Sequence, residues 1–110
     1  MSVYLFETWL VKPEHENKHN KIWGEYVNYM NRNPELFHGI KSMKLYKKLP
    51  GEGFATYIQV VEFNNLDEKV NLDLLLSKDE ESLTFKRRLM LFKDIETTAE
   101  TLCEPIYEYN

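Results

Sequence analysis

His15 and His19 have the spacing in this chain that most directly suggests chemistry. With Glu16 they form the stretch HENKH, which matches the His-Glu-x-x-His pattern of zinc proteases. Residues four positions apart lie on the same face of an α-helix, so both imidazoles would reach one metal ion there. The pattern raises the hypothesis of a metal-dependent hydrolase.

A zinc site would need a third protein ligand beside an open coordination position. His38 and Glu35 lie beyond the other end of the predicted helix, nearly 28 Å from His15 at about 1.5 Å per residue. The carboxylates that the topology would bring near the helix start are Glu52, Asp94, Glu96 and Glu100. We therefore predict no cofactor and keep His15 and His19 as weak metal candidates.

The same histidines have a second possible use, as bases. The predicted helix starts soon after the strand that contains Trp9, which places His15 or His19 at the mouth of an expected pocket. A neutral imidazole there can take a proton from an acidic phenol or enol. In this hypothesis Glu7 is the polar partner, and Trp9 and Tyr57 form the walls of the substrate pocket. The alternative is a histidine bonded only to backbone or solvent.

The composition limits what kind of protein positions these groups. The chain has 110 residues, 43% of them hydrophobic and 14% aromatic, which predicts one domain spanning 1–110 with a substantial core. The net charge is −4 without a basic face, so we expect no nucleic-acid partner. The lone Cys103 argues against a disulfide scaffold. The apolar N-terminal stretch is too short for a membrane span and lacks a signal-peptide pattern, so we expect a cytoplasmic protein with no membrane partner.

Hydrophobic periodicity and turn residues predict the order β-α-β-β-α-β. The predicted elements are strands at 3–11, 40–49, 54–63 and 98–108, a helix from 14 to 33, and a helical region from 64 to about 95. A capping box of Ser77 and Glu80 is expected to interrupt that region. This order predicts an α+β, ferredoxin-like fold with an antiparallel sheet in the order 4-1-3-2 and both helices on one face. The lysines of strand 2 and Pro105 of strand 4 suit edge strands.

Strands 1 and 3 carry apolar residues on both faces of the predicted sheet. One face of strand 1 holds Tyr4, Phe6 and Leu10, and the other holds Val3, Leu5, Trp9 and Val11. Helices cover only one face, and a large apolar surface is unfavourable in water. We therefore predict a homodimer in which two sheets face each other and close a barrel. Its middle would hold a small apolar or aromatic ligand, or would be a dry core.

The whole chain also resembles a known group of proteins. Besides the element order, the similarity rests on the stretches NPELFHGIKSMKLYKK, QVVEFNNLDE and PIYEY. They resemble the helix-to-strand junctions and the closing strand of the dimeric α/β-barrel superfamily, particularly its antibiotic-biosynthesis-monooxygenase-like and NIPSNAP-like members. The resemblance implies cofactor-free oxygenation of aromatic polyketides, haem breakdown or small-molecule isomerisation. The asparagine that the haem-degrading branch has on strand 1 is absent, since Glu7 and Thr8 occur there.

Three functional hypotheses follow from these observations. The leading one is a small-molecule-binding homodimer that acts as a cofactor-independent monooxygenase or isomerase on an aromatic or enolisable substrate. The second is a non-catalytic dimer that senses a ligand or serves as an interaction module. The third, less favoured, is the metal-dependent hydrolase with His15 and His19 as ligands.

Overall fold

The strands and helices follow the predicted order. The computed structural model describes residues 1–49 and 53–109, and within them it has four strands, β1 (Val3–Val11), β2 (Ile40–Lys47), β3 (Ala55–Phe63) and β4 (Ala99–Cys103). The α-helices of the same ranges are α1 (Glu16–Arg32), α2 (Leu66–Leu76) and α3 (Glu80–Met90). Short 3-10 turns precede α1 at Pro13–His15 and β4 at Ile95–Thr97. The predicted 50–53 turn and Glu52 lie largely outside the described residues.

The sheet has the order β2-β3-β1-β4, and every neighbouring pair is antiparallel. This confirms the predicted ferredoxin-like arrangement and the two predicted edge strands. In the register, Glu7 of β1 lies opposite Gln59 of β3 and Glu100 of β4. Three polar residues of adjacent strands therefore form one row across the middle of the sheet.

Alternation along β1 and β3 separates a helix-covered face from an open one. Trp9, Val11, Ala55 and Tyr57 lie on the covered face and are at most 3% exposed. The intervening residues, such as Phe6 and Val60, point to the open face. Phe6 is 37% exposed there, so the open face is the less well covered side.

The second helical region breaks where the sequence predicts, but through a different residue. Ser77 follows the last turn of α2, and its hydroxyl donates to the carbonyl of Leu74. The N-cap of α3 is Asp79, whose carboxylate accepts from the backbone N–H of Ser82 at 3.1 Å. A carboxylate two residues closer to the helix satisfies an N–H that Ser77 cannot reach, so the predicted Ser77 capping box is wrong.

The other corrections concern element ends. The helix predicted from residue 14 begins with a 3-10 turn, and α1 starts at Glu16. β4 ends at Cys103 rather than at residue 108, because Pro105 has no N–H to donate to a neighbouring strand. Beyond it, Ile106 and Tyr107 are largely exposed. No helix in the described part of the chain is long and apolar enough to cross a bilayer.

Candidate functional site

Glu16, in the middle of HENKH, connects α1 to the sheet. Its Oε1 accepts from the hydroxyl of Tyr57 on β3 at 2.7 Å and from the ammonium of Lys47 on β2 at 2.8 Å. The hydrogen bonds from Lys47 and Tyr57 lower the pKa of Glu16. Two donors thus hold this carboxylate away from any position between the two histidines.

His19 is completely buried against the sheet. The indole N–H of Trp9 donates to its Nε2 at 3.0 Å, and its Nδ1 lies 3.0 Å from Oδ1 of Asn20. An indole nitrogen only donates, so Nε2 carries a lone pair and Nδ1 carries the proton. Burial lowers the pKa of His19, which agrees with this neutral tautomer. Both ring nitrogens are engaged, and neither is free for a metal ion or a substrate.

The side chain of His15 contacts a third part of the chain. Its ring is half-buried and packs edge-on against Phe92, with the ring centroids 5.4 Å apart. Among residues 1–49 and 53–109, no group of three His, Cys, Asp or Glu side chains is arranged to hold a metal ion. The members of HENKH therefore contact three different parts of the chain, and their arrangement is that of a helix anchor.

A cavity of about 650 Å³ lies between the helices and the covered face of the sheet. Its apolar walls come from the strands and from all three α-helices: Leu5, Val61, Phe63, Tyr26, Met30, Leu72 and Leu89. This volume and this lining are typical of small-molecule sites. The ligand space predicted from the sequence lies on the other face of the sheet, between the sheets of two copies. That space remains a prediction.

Polar side chains gather on one wall of this cavity. Glu7, Gln59 and Glu100, the row across the sheet, all line it. The ammonium of Lys93, just after α3, lies 2.8 Å from Oε1 of Glu7. The two side chains are only 14% and 18% exposed, so this ion pair is largely shielded from water.

Lys93 also contacts aromatic rings of the core. Its Nζ lies 3.9 Å from the ring centroid of Trp9 and 5.8 Å from that of Trp23. Both distances allow cation–π attraction between the ammonium and the rings. Glu7 and the two rings together fix Lys93 at the cavity wall.

Trp23 contributes an unusual donor to the same region. It lines the cavity from α1 and is 5% exposed, and its buried Nε1 has no hydrogen-bond acceptor among the described residues. An unpaired buried donor costs about 1–3 kcal/mol. An acceptor supplied by a bound molecule or water would remove that cost.

The predicted site residues are therefore separated by the fold. Glu7 lines the cavity, whereas Trp9, Tyr57 and His19 pack on one another beneath it, with 4.5 Å between the rings of His19 and Tyr57. Trp9 and Tyr57, which the sequence suggested as pocket walls, therefore lie in the packed core and do not line this cavity. Neither His15 nor His19 is among the residues that line the cavity.

Lys93 is the residue that the sequence reasoning missed. Its signal was present, because residues 82, 86, 89 and 93 recur at helical spacing along one face of α3 and its C-terminal continuation. The partner Glu7 lies 86 positions earlier. No local pattern connects the two residues.

Comparison with known proteins places this geometry in a structural group. No protein-family model and no curated protein matches the sequence. A variant of SnoaB, a cofactor-independent oxygenase from Streptomyces nogalater, superposes with a TM-score of 0.72 at 11% identity, covering 97% of this chain and 95% of SnoaB. A NIPSNAP family protein from Agrobacterium tumefaciens gives 0.73 at 12%, covering 96% and 93%.

A structure described as an antibiotic biosynthesis monooxygenase gives a TM-score of 0.70 at 12% identity, covering 96% of this chain and 99% of the other. Likeness at such low identity establishes the fold and leaves activity open. The similarity spans nearly the whole of each chain, so it includes the sheet and the helices. The chain therefore has the ferredoxin-like fold of the antibiotic-biosynthesis-monooxygenase and NIPSNAP-like proteins, which confirms the resemblance seen in its sequence.

Proposed function

We propose that the chain binds an aromatic or enolisable small molecule in the cavity and acts on it as a cofactor-independent oxygenase or isomerase. The observation that carries this proposal is the shielded Glu7–Lys93 pair on the wall of a largely apolar cavity. Forming an enolate requires a base that takes the proton and is helped by a cation that stabilises the enolate oxygen, and this pair supplies both. In this proposal the base is Glu7 rather than His15 or His19.

The first step is a proton transfer. The Glu7 carboxylate takes a proton from a ligand carbon that is conjugated with a carbonyl, and the electron pair of that C–H bond moves into an enolate. Protonation removes the negative charge of Glu7, so the ammonium of Lys93 then pairs with the enolate oxygen. Because the pair is only 14% and 18% exposed, little water competes for that interaction.

The enolate can react further in two ways. In an isomerase, the proton returns to a different carbon of the same conjugated system. In an oxygenase, dissolved O₂ accepts four electrons, the ring CH₂ becomes C=O with one oxygen atom, and the other oxygen atom leaves as water. The cavity's apolar walls suit both O₂ and an aromatic ring.

Anthrone is a suitable probe because it enolises readily and reacts with O₂ to give anthraquinone and water. We expect the protein to accelerate O₂ uptake over the buffer rate, and Glu7→Gln to lower kcat by about 10²- to 10⁴-fold, the usual contribution of a general base. Glu14→Gln is the matched control, since it removes an exposed carboxylate outside the cavity. Its rate should equal that of the wild type.

Equal turnover by Glu7→Gln and the wild type would reject Glu7 as the base. A wild-type rate no higher than that of buffer would reject anthrone oxygenation and leave isomerisation to be tested by deuterium exchange at an enolisable carbon. Circular dichroism and thermal unfolding of each variant separate loss of fold from loss of chemistry.

A non-catalytic ligand-binding module is the second candidate. The observation in its favour is that Oε1 of Glu7 already accepts a hydrogen bond from Lys93, which competes with a substrate proton for the carboxylate. In that case Glu7→Gln changes the affinity of a ligand and no reaction rate. Ligand titration of the same two variants distinguishes this candidate.

We also propose that a second copy covers the open face of the sheet. Apolar side chains of β1 and β3 lie there, including Phe6, which is 37% exposed. Covering this surface is favourable by about 25 cal/mol per Å² of apolar area. Native mass spectrometry should give a dimer for the wild type and a monomer for Phe6→Lys, and a wild-type monomer at micromolar concentration would contradict the proposal.

A further inference from the structure

One face of α3 and its C-terminal continuation presents two lysines to the cavity. Lys86 and Lys93 both line it, with Leu89 between them. They are seven positions apart, which corresponds to about 10 Å along a helix axis. The cavity therefore has two separate positions for positive charge on the same side.

The two lysines differ in what already binds them. Lys93 is held by Glu7 and by the faces of two tryptophans. Lys86 makes no ion pair or hydrogen bond with any described residue. Asp73, another charged residue of the lining, is paired with Lys69 at 2.6 Å. Lys86 is exposed, so it is a solvent-accessible cation at the cavity that the anionic group of a ligand can reach.

Charge elsewhere on the lining gives the ligand a direction. Glu100, opposite Glu7 in the sheet, adds a second carboxylate to the wall contacted by Lys93. Lys93 offsets one of these two carboxylates, so the wall keeps a net negative charge that disfavours an anionic group, which Lys86 attracts instead. The apolar residues between the two positions suit an uncharged ring system.

We infer that the ligand is an elongated aromatic compound with an acidic group at one end, which pairs with Lys86. Its uncharged, enolisable end then lies at the Glu7–Lys93 pair. This inference rests on the proposed function for the location of the site and adds the substrate class: an aromatic carboxylate, sulfonate or comparable anion. Lys86 acts in specificity, not in the chemical step.

A pair of fluorescent dyes tests the inference directly. 6-Anilino-2-naphthalenesulfonate and N-phenyl-2-naphthylamine have the same aromatic body, and only the first carries a terminal anion. We expect Lys86→Met to weaken binding of the sulfonate about two- to fivefold, the range of a solvent-accessible ion pair, and Lys86→Glu to weaken it further. The Kd of the neutral dye should stay unchanged in both variants.

Two further variants serve as controls. Lys21→Glu makes the same charge change on the exposed side of α1 and should leave both Kd values unchanged. Leu83→Trp places a larger side chain in the cavity wall and should weaken both dyes. This second control reports whether the dyes bind in the cavity rather than on the open sheet face.

The outcomes separate the two proposals. If Leu83→Trp weakens both dyes and the Lys86 variants leave the sulfonate unaffected, the inference about the acidic group is rejected and the cavity proposal stands. If Leu83→Trp affects neither dye, ligand binding in the cavity is rejected together with the inference. Equal weakening of both dyes by Lys86→Met would also reject the inference, because the effect would then be independent of ligand charge.

Discussion

The environment of His19 predicts a specific loss of stability in mild acid. Nε2 accepts the Trp9 indole N–H at 3.0 Å inside the core, so protonation would direct one N–H at another. Burial, and to a lesser degree the charge of Lys93, lower the pKa of His19, while Asn20 and Glu16 act in the opposite direction. The folded state therefore resists protonation.

The direction and size of this change in the free energy of unfolding follow from the linkage between proton binding and folding. In the unfolded chain the imidazole has its ordinary pKa of about 6.5, so this state gains a proton as the pH falls below that value. The folded state does not, until the pH reaches its lower pKa. At pH 5.5 the contribution to destabilisation is therefore at most about 1.4 kcal/mol, and above pH 7.5 it is close to zero.

Urea unfolding at pH 7.5, 6.5 and 5.5 measures this contribution when wild type and His19→Gln are compared. Glutamine offers an amide oxygen to Trp9 and does not titrate, whereas the carboxylates titrate equally in both proteins. His38→Gln is the matched control, because the His38 side chain is 58% exposed. If wild type and His19→Gln lose the same free energy between pH 7.5 and 5.5, the assignment of His19 as a buried neutral histidine is refuted.

The other predictions concern two glycines, the N-cap of α3 and HENKH. Gly24→Ala should raise the free energy of unfolding by about 0.5–1 kcal/mol, because the helical Cβ meets nothing within 4 Å. Gly39→Ala should lower it by about 1–3 kcal/mol, since its Cβ would lie 3.0 Å from Oε2 and 3.3 Å from the carbonyl oxygen of Glu68; urea unfolding with opposite or equal shifts would contradict this pair. Asp79→Ala should cost about 1–2 kcal/mol for the lost cap alone, and more because the hydroxyl of Tyr29 loses its acceptor at 2.7 Å, so thermal unfolding close to wild type would count against it. Added zinc should leave the unfolding temperature unchanged, and a zinc-dependent increase would restore the metal hypothesis for HENKH.

Local patterns were sufficient for the arrangement of elements. β-Branched and aromatic residues located β1 at residues 3–11, which agrees with the structure, and proline together with charge identified the two edge strands. These features depend on neighbouring residues, so they are visible in a short window of sequence. The element order then allowed only a few topologies, of which the ferredoxin-like one is found.

The element ends and caps were harder to predict for a physical reason. Ser77 and Asp79 are both good N-caps by type, and the choice depends on which side chain reaches the free N–H groups. Asp79 also accepts from Tyr29, which is 50 positions away, so tertiary contact stabilises that choice. The same carboxylate thus fixes α3 to α1.

Residue types and their order along the chain predicted the fold, the apolar open face of the sheet and Glu7 as a polar residue within an apolar strand. The anchoring of α1 through Glu16 and His19, and the ion pair of Lys93 with Glu7, became visible in the folded chain. The reason is that the type of a side chain states what it can bind, while its partner is chosen by packing between residues 10 to 86 positions apart. Burial then removes water as an alternative partner, which makes those choices decisive.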